Sequence, residues 1–315
     1  MSAERVAPQD VRTITCVGTG VIGGGWVAYF LARGYDVVAW DPAPDAEQRV
    51  RHVVDAAWPA LTELGLADGA DRGRVRVEAD LAAAVDGTDL VQESAPEQLD
   101  LKIDLLARID EVTAPDVVIS SSTSGYGMSE MQVKCAHPER TVVAHPFNPP
   151  YLIPLVEVVG GTATSEDTVA WTSDFFRHAG KSVITMEREV PGFIANRLQE
   201  ALWREALHMV ESGQATVQQI DDAIVHGPGL RWALMGPMLT FHLAGGPGGM
   251  AHMLDHFGPS LLSPWTRLVS TELTSELRDA MVAGTEREAA GRTIDELVQE
   301  RDQGIIAILR ALGRV

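Results

Sequence analysis

Residues 11–26, VRTITCVGTGVIGGGW, constrain the fold of this chain more than any other stretch. Ile14, Thr15, Cys16 and Val17 have strand character and run into Gly18-Thr19-Gly20-Val21-Ile22-Gly23. Residues 26–32, WVAYFLA, then read as an apolar helix. Strand, glycine turn and helix in that order make the G-x-G-x-x-G arrangement of a βαβ unit that binds a dinucleotide. Gly18 permits the tight turn, Gly20 lets the backbone approach a pyrophosphate, and Gly23 lets the helix lie close on the strand. The free N–H groups where the helix starts, around Thr19, Val21 and Ile22, meet the negative phosphates.

A second strand at 36–40, DVVAW, ends in Asp41, 41 − 23 = 18 residues past the last glycine. A carboxylate there accepts hydrogen bonds from the adenosine ribose and repels a 2′-phosphate, so the expected cofactor is NAD and not NADP. Pro42 and Ala43 follow Asp41 directly, with no Arg beside it. Strands are also expected at 75–77, 89–92, 117–120, 141–144, 155–159 and 182–185, separated by helices at 45–65, 97–112, 128–135 and 165–179. This alternation predicts an α/β fold, a Rossmann-like doubly wound sheet that is mostly parallel. After Pro191 no strand pattern appears, and Pro191 itself suits the first turn of a helix. Helices are expected up to Gly213, from Thr216 (a capping box with Gln219), and at 232–243, 249–257, 273–283 and from 294. The expected division is an NAD-binding domain over 1–189 and an all-helical domain over 190–315, the latter a surface for homodimerisation.

The balance of 25 basic against 44 acidic residues gives a formal net charge of −19. Such a surface repels nucleic-acid backbones and is a poor general surface for coenzyme A, while it attracts cationic small molecules. No apolar run of membrane-spanning length and no leader pattern is present, and only Cys16 and Cys135 carry thiols. The expected setting is a reducing cytoplasm, with neither disulfide nor metal.

The polar residues that suit chemistry cluster late in the sheet, in SSSTSG (120–125), AHPFNP (144–149) and LVEVVGG (155–161). Ligands of a doubly wound sheet sit beyond the carboxyl ends of its strands, where Ser122, Ser124 and His145 fall. Glu157 stands in an otherwise apolar strand and needs a partner; His145 is the natural one, because a short connection returns the chain to the neighbouring strand. A His oriented by a carboxylate is a poised general base.

The segments GTGVIG, QESAPEQLDLK, SSTSG, AHPFNPPYLIPLVEVVGG and PGFIANRL together resemble the short-chain L-3-hydroxyacyl-CoA dehydrogenase superfamily, across both expected domains. The resemblance implies oxidation of a 3-hydroxyl group by His145, Glu157, Ser124 and Asn196. It also carries Glu97, Lys102 and Ser122 to the cofactor site, although relatives acting on acyl-CoA often have Asn where this chain has Ser122. Residues 201–210, 226–254 and 257–268 are similar to members that oxidise free 3-hydroxy carboxylates, among them L-carnitine and L-gulonate; a GLR-aromatic-A element is shared with lambda-crystallin. The implied substrate is L-carnitine. Arg231 would clamp its carboxylate, and Trp232, Phe147 and Trp203 are candidates to face its trimethylammonium group. Three alternatives stay open: another free 3-hydroxy acid, 3-hydroxybutyryl-CoA, and a crystallin-like or NAD-sensing protein without turnover.

Overall fold

The computed structural model describes residues 5–257 and 272–313, in two compact units, 1–194 and 195–315. The described residues of the first unit hold eight strands: β1 (Thr13–Val17), β2 (Asp36–Trp40), β3 (Val75–Glu78), β4 (Leu90–Glu93), β5 (Val118–Ser121), β6 (Thr141–Pro146), β7 (Leu155–Val159) and β8 (Ser182–Met186). They form one sheet in the order β3-β2-β1-β4-β5-β6-β7-β8. All neighbours are parallel except β6 and β7. Residues 147–154, which join those two, contain no helix, and so short a connection cannot carry the chain back to start a parallel strand.

Among its described residues this unit has six α-helices: α1 (Val21–Ala32), α2 (Ala46–Leu64), α3 (Leu81–Val85), α4 (Leu99–Val112), α5 (Met128–Met131) and α6 (Glu166–His178). Side chains alternate along each strand, so the sheet feeds two cores. Ile14, Cys16, Val37, Ala39, Val142 and Ala144 pack against Trp26 and Phe30 of α1 and Phe175 and Phe176 of α6. Val17, Val38, Val91, Ile119, Val143 and Val159 pack on the other face, against Leu105, Leu106 and Ile109 of α4 and Met128 and Met131 of α5. Helices on both faces are what a doubly wound sheet needs, and α1 is apolar all round because it is buried from Gly23 to Ala32. Gly18 has φ +91°, and a Cβ on Gly23 would lie 1.9 Å from the Gly18 carbonyl oxygen, so α1 meets β1 only because no side chain intervenes.

The second unit contributes α7 (Ala195–Glu211), α8 (Val217–Val225), α9 (Pro228–Leu234), α10 (Pro237–Ala244), α11 (Gly249–Phe257), α12 (Ser275–Ala289) and α13 (Ile294–Ala311), with no strand among the described residues. The capping box at Thr216 forms: its hydroxyl accepts from Gln219 N and its N–H donates to Gln219 Oε1. Two sequence expectations are corrected. Pro191 does not open a helix, since Gly192 and Phe193 have φ +71° and +54°, outside helical space, and α7 starts only at Ala195. The helix expected over 232–243 is two helices, broken at Gly236, because Pro237 lacks an N–H and begins α10 at its first turn. Most of the 257–268 segment lies outside the described residues.

Candidate active site

A cavity of about 640 Å³ opens beyond the carboxyl ends of β1, β2 and β4. It is lined by residues 18–22, 40–42 and 94–96, by Arg49 of α2, and by Leu101, Asp104, Leu105 and Arg108 of α4. Gly20 precedes α1, and a Cβ built on it meets nothing within 4 Å, so the backbone faces open space here. A pyrophosphate fits that geometry: bare backbone N–H groups at a helix start, with room directly above them. Asp41 bounds the far end. Its Oδ2 accepts from Thr19 N (2.8 Å) and Thr19 Oγ1 (2.9 Å), and its Oδ1 from Ala43 N (3.0 Å) and Arg49 Nη2 (3.1 Å). Burial pushes the Asp41 carboxyl up, but the N–H groups of Ala43 and Thr19, the Thr19 hydroxyl and the Arg49 charge outweigh it and hold the group below its ordinary value.

Behind this cavity lies a buried polar network. Glu93, at the end of β4, pairs with Lys102 of α4 at 2.9 Å, the two side chains being 0% and 1% exposed. Glu93 also accepts from Ala95 N and Ser121 Oγ, and Lys102 donates to the Ala95 carbonyl. Glu97 Oε1 accepts from Thr123 Oγ1 (2.7 Å), Ser124 N (2.9 Å) and Gly125 N (3.0 Å), which fixes the loop after β5. Ser122 Oγ is shared by Trp26 Nε1, Gln92 Nε2 and Ser94 Oγ, tying the β4 and β5 loops together. Lys102, Glu97 and Ser122 therefore hold the walls in shape, while Ser124 is exposed at the loop tip.

His145 and Glu157 stand opposite each other in the antiparallel register of β6 and β7, with His145 Nδ1 2.9 Å from Glu157 Oε2. Directly opposed strand residues point to the same face, which is why these two meet. Both are buried, and Glu157 Oε1 accepts in addition from Ile194 N at 3.0 Å. The imidazole lies against Phe147 and Phe193, each with ring centroids 5.1 Å away. Phe193 escapes sequence reasoning: the PGF segment reads as a helix start, whereas the left-handed turn at 192–193 turns this ring into the core and aims the next N–H at Glu157. Arg49, Arg108 and the Glu93–Lys102 pair were equally out of reach, because only packing of α2 and α4 against the sheet brings them in.

In the second unit Asn196 is the second residue of α7 and half-buried. Arg231 and Trp232 are exposed neighbours on α9; about 100° separates consecutive residues around a helix, so they do not share one face. Trp203 lies on α7 in a groove of about 410 Å³ with α8, beside Leu202, Met209, Ile220 and Ile224. Among the described residues no group of three or more His, Cys, Asp or Glu side chains is arranged to hold a metal ion, and no helix is long and apolar enough to cross a membrane.

The sheet order, the glycine turn and the acid ending β2 define a Rossmann-type, NAD-binding oxidoreductase. More narrowly, the chain belongs to the 3-hydroxyacyl-CoA dehydrogenase family: its NAD-binding domain matches residues 13–190 and its C-terminal domain residues 192–300. It is an NAD-dependent dehydrogenase. An L-carnitine dehydrogenase of Streptomyces coelicolor is 68% identical over 309 residues, covering 98% of this chain and 97% of that protein. An L-carnitine dehydrogenase of Pseudomonas putida is 51% identical, with 96% and 94% covered. Among solved structures, the NAD⁺-dependent 5-formyl-3-hydroxy-2-methylpyridine 4-carboxylic acid 5-dehydrogenase superposes with a TM-score of 0.81 at 31% identity, over 96% of this chain and 99% of that one.

Proposed function

We propose that this protein oxidises the 3-hydroxyl of L-carnitine to 3-dehydrocarnitine with NAD. The observation that carries the chemistry is the buried contact of His145 Nδ1 with Glu157. With Nδ1–H donating to the carboxylate, Nε2 is left with its lone pair and accepts the proton of the substrate hydroxyl. Glu157 then stabilises the imidazolium, and its second oxygen stays anchored on Ile194 N. Phe147 and Phe193 keep water from the ring and so strengthen that interaction. Ser124, on the loop that Glu97 fixes, and Asn196 hold the reacting oxygen in line. Bound NAD supplies the acceptor for the hydride that leaves the carbinol carbon.

The substrate assignment is supported by the names of the relatives aligned over nearly the whole chain, and by the acidic surface, which suits a quaternary ammonium ion better than a coenzyme A ester. Arg231 is assigned to the carboxylate, with Trp232, Phe147 and Trp203 the candidate aromatic faces for the ammonium group. Residues 1–189 act as the NAD-binding domain, and 190–315 as the substrate and homodimer-forming domain. The exposed Leu198, Leu202, Trp203 and Phe241 support an interface there. The free thiols of Cys16 and Cys135 suit a reducing cytoplasm. A substrate panel tests the reading: NADH formation from L-carnitine, L-gulonate and 3-hydroxybutyryl-CoA. L-Carnitine is expected to give the highest kcat/KM; a higher value for either rival, or no turnover with any, overturns the assignment.

A further inference from the structure

Asp41 has no acceptor position to spare. A carboxylate offers about four lone-pair directions, and here Thr19 N, Thr19 Oγ1, Ala43 N and Arg49 Nη2 take all of them. The first three bonds are made within the turn itself, whereas Arg49 reaches in from α2 on a long side chain that is 42% exposed. Arg49 is also the group that is poorly held: its Nε lacks a hydrogen-bond partner, with Asp45 Oδ1 3.5 Å away, and its Nη2 is 3.4 Å from Thr19 Oγ1. The bond most cheaply given up to a ribose hydroxyl is therefore the one to Arg49. A second guanidinium, that of Arg108, lines the same cavity, with its central carbon 5.9 Å from the Trp40 ring centroid. The adenosine end thus holds two guanidinium groups together with the carboxylates of Asp41 and Asp104.

We propose that Arg49 is a masked 2′-phosphate ligand, and that the Asp41–Arg49 pair sets the cofactor preference of this protein. With Asp41 ionised, the guanidinium is engaged in the free protein, and a 2′-phosphate that draws it away still meets a carboxylate at the ribose. With that charge removed, Arg49 Nη2 and the Thr19 hydroxyl, which now donate to the two oxygens of Asp41 and lie 3.4 Å apart, are both left to serve an anion. Cofactor choice then rests on one negative charge laid over a standing positive one, and not on the absence of a cation.

The test separates this from simple relief of repulsion and needs no turnover. Adenosine 2′,5′-bisphosphate and 5′-AMP are titrated calorimetrically into the native protein, D41N, R49A and D41N/R49A, with thermal unfolding confirming that each is folded. Should D41N not fold, D41S replaces it in both the single and the double variant. The native protein and R49A are expected to prefer 5′-AMP. In D41N the preference is expected to shift toward the bisphosphate by at least about tenfold, an effect that shrinks with added salt. In D41N/R49A that shift should vanish. An equal shift in D41N/R49A, or none in D41N, overturns the proposal.

Discussion

Replacing Glu157 with Gln removes the charge opposite the imidazole while keeping the shape of the side chain. The new amide would offer its carbonyl oxygen to Ile194 N, as Glu157 Oε1 now does at 3.0 Å, and so would present its N–H₂ to His145 Nδ1. The ring must then carry its proton on Nε2, the atom that should accept from the substrate. The charge term points the same way. His145 Nδ1 and Glu157 Oε2 are 2.9 Å apart and buried, placing the charge centres of imidazolium and carboxylate about 4 Å apart. At an effective dielectric of about 20 the attraction is about 4 kcal/mol, available only once the ring is protonated during reaction. At about 1.4 kcal/mol per factor of ten, kcat is expected to fall about a thousandfold. NAD affinity should hold, because Glu157 does not line the cavity at 18–22 and 41. Stopped-flow NADH absorbance gives kcat, and calorimetry gives the NAD dissociation constant. A kcat within about threefold of native, with cofactor affinity intact, would refute the dyad argument.

Two further outcomes follow from buried cations. Lys102→Met leaves Glu93 buried without its counter-ion and should cost about 3–5 kcal/mol in urea unfolding, whereas Lys102→Met/Glu93→Gln should recover most of that loss. Lys181 is buried against the faces of Tyr29 and Trp26 and donates to the Pro150 and Ile153 carbonyls. Burial, then the nearby Arg33 charge, lowers its pKa well below 10.5, so the unfolded chain binds the proton more tightly than the folded one. The stability tied to this group is therefore present above 10.5 and lost as pH falls toward the lowered value. Tm of the native protein is expected to gain on that of Lys181→Met as pH rises from about 7 to about 10; a constant difference would count against this account.

Much of the site was legible in the chain because its signals are local. The turn at 18–23 needs its glycines whatever surrounds it, and a Cβ on Gly23 would run into the Gly18 carbonyl within the same few residues. Alternating strands and helices announce the doubly wound sheet, and the eight-residue return from β6 to β7 brings His145 and Glu157 together through simple hairpin register. Helix boundaries were less legible where one residue's φ decides, as at Phe193, since hydrophobic periodicity does not report a left-handed turn. The long-range pairings were not legible at all. That Glu93 is neutralised by Lys102 and that Arg49 returns to Asp41 depend on where α4 and α2 settle against the sheet, and that Ser122 joins three side chains depends on α1 and on the pairing of β4 with β5. Local sequence determined which backbone shapes this chain adopts and which groups stand at the strand ends. Tertiary packing decided which charge faces which, because hydrogen bonds and ion pairs act over a few ångströms while their partners lie up to tens of residues apart.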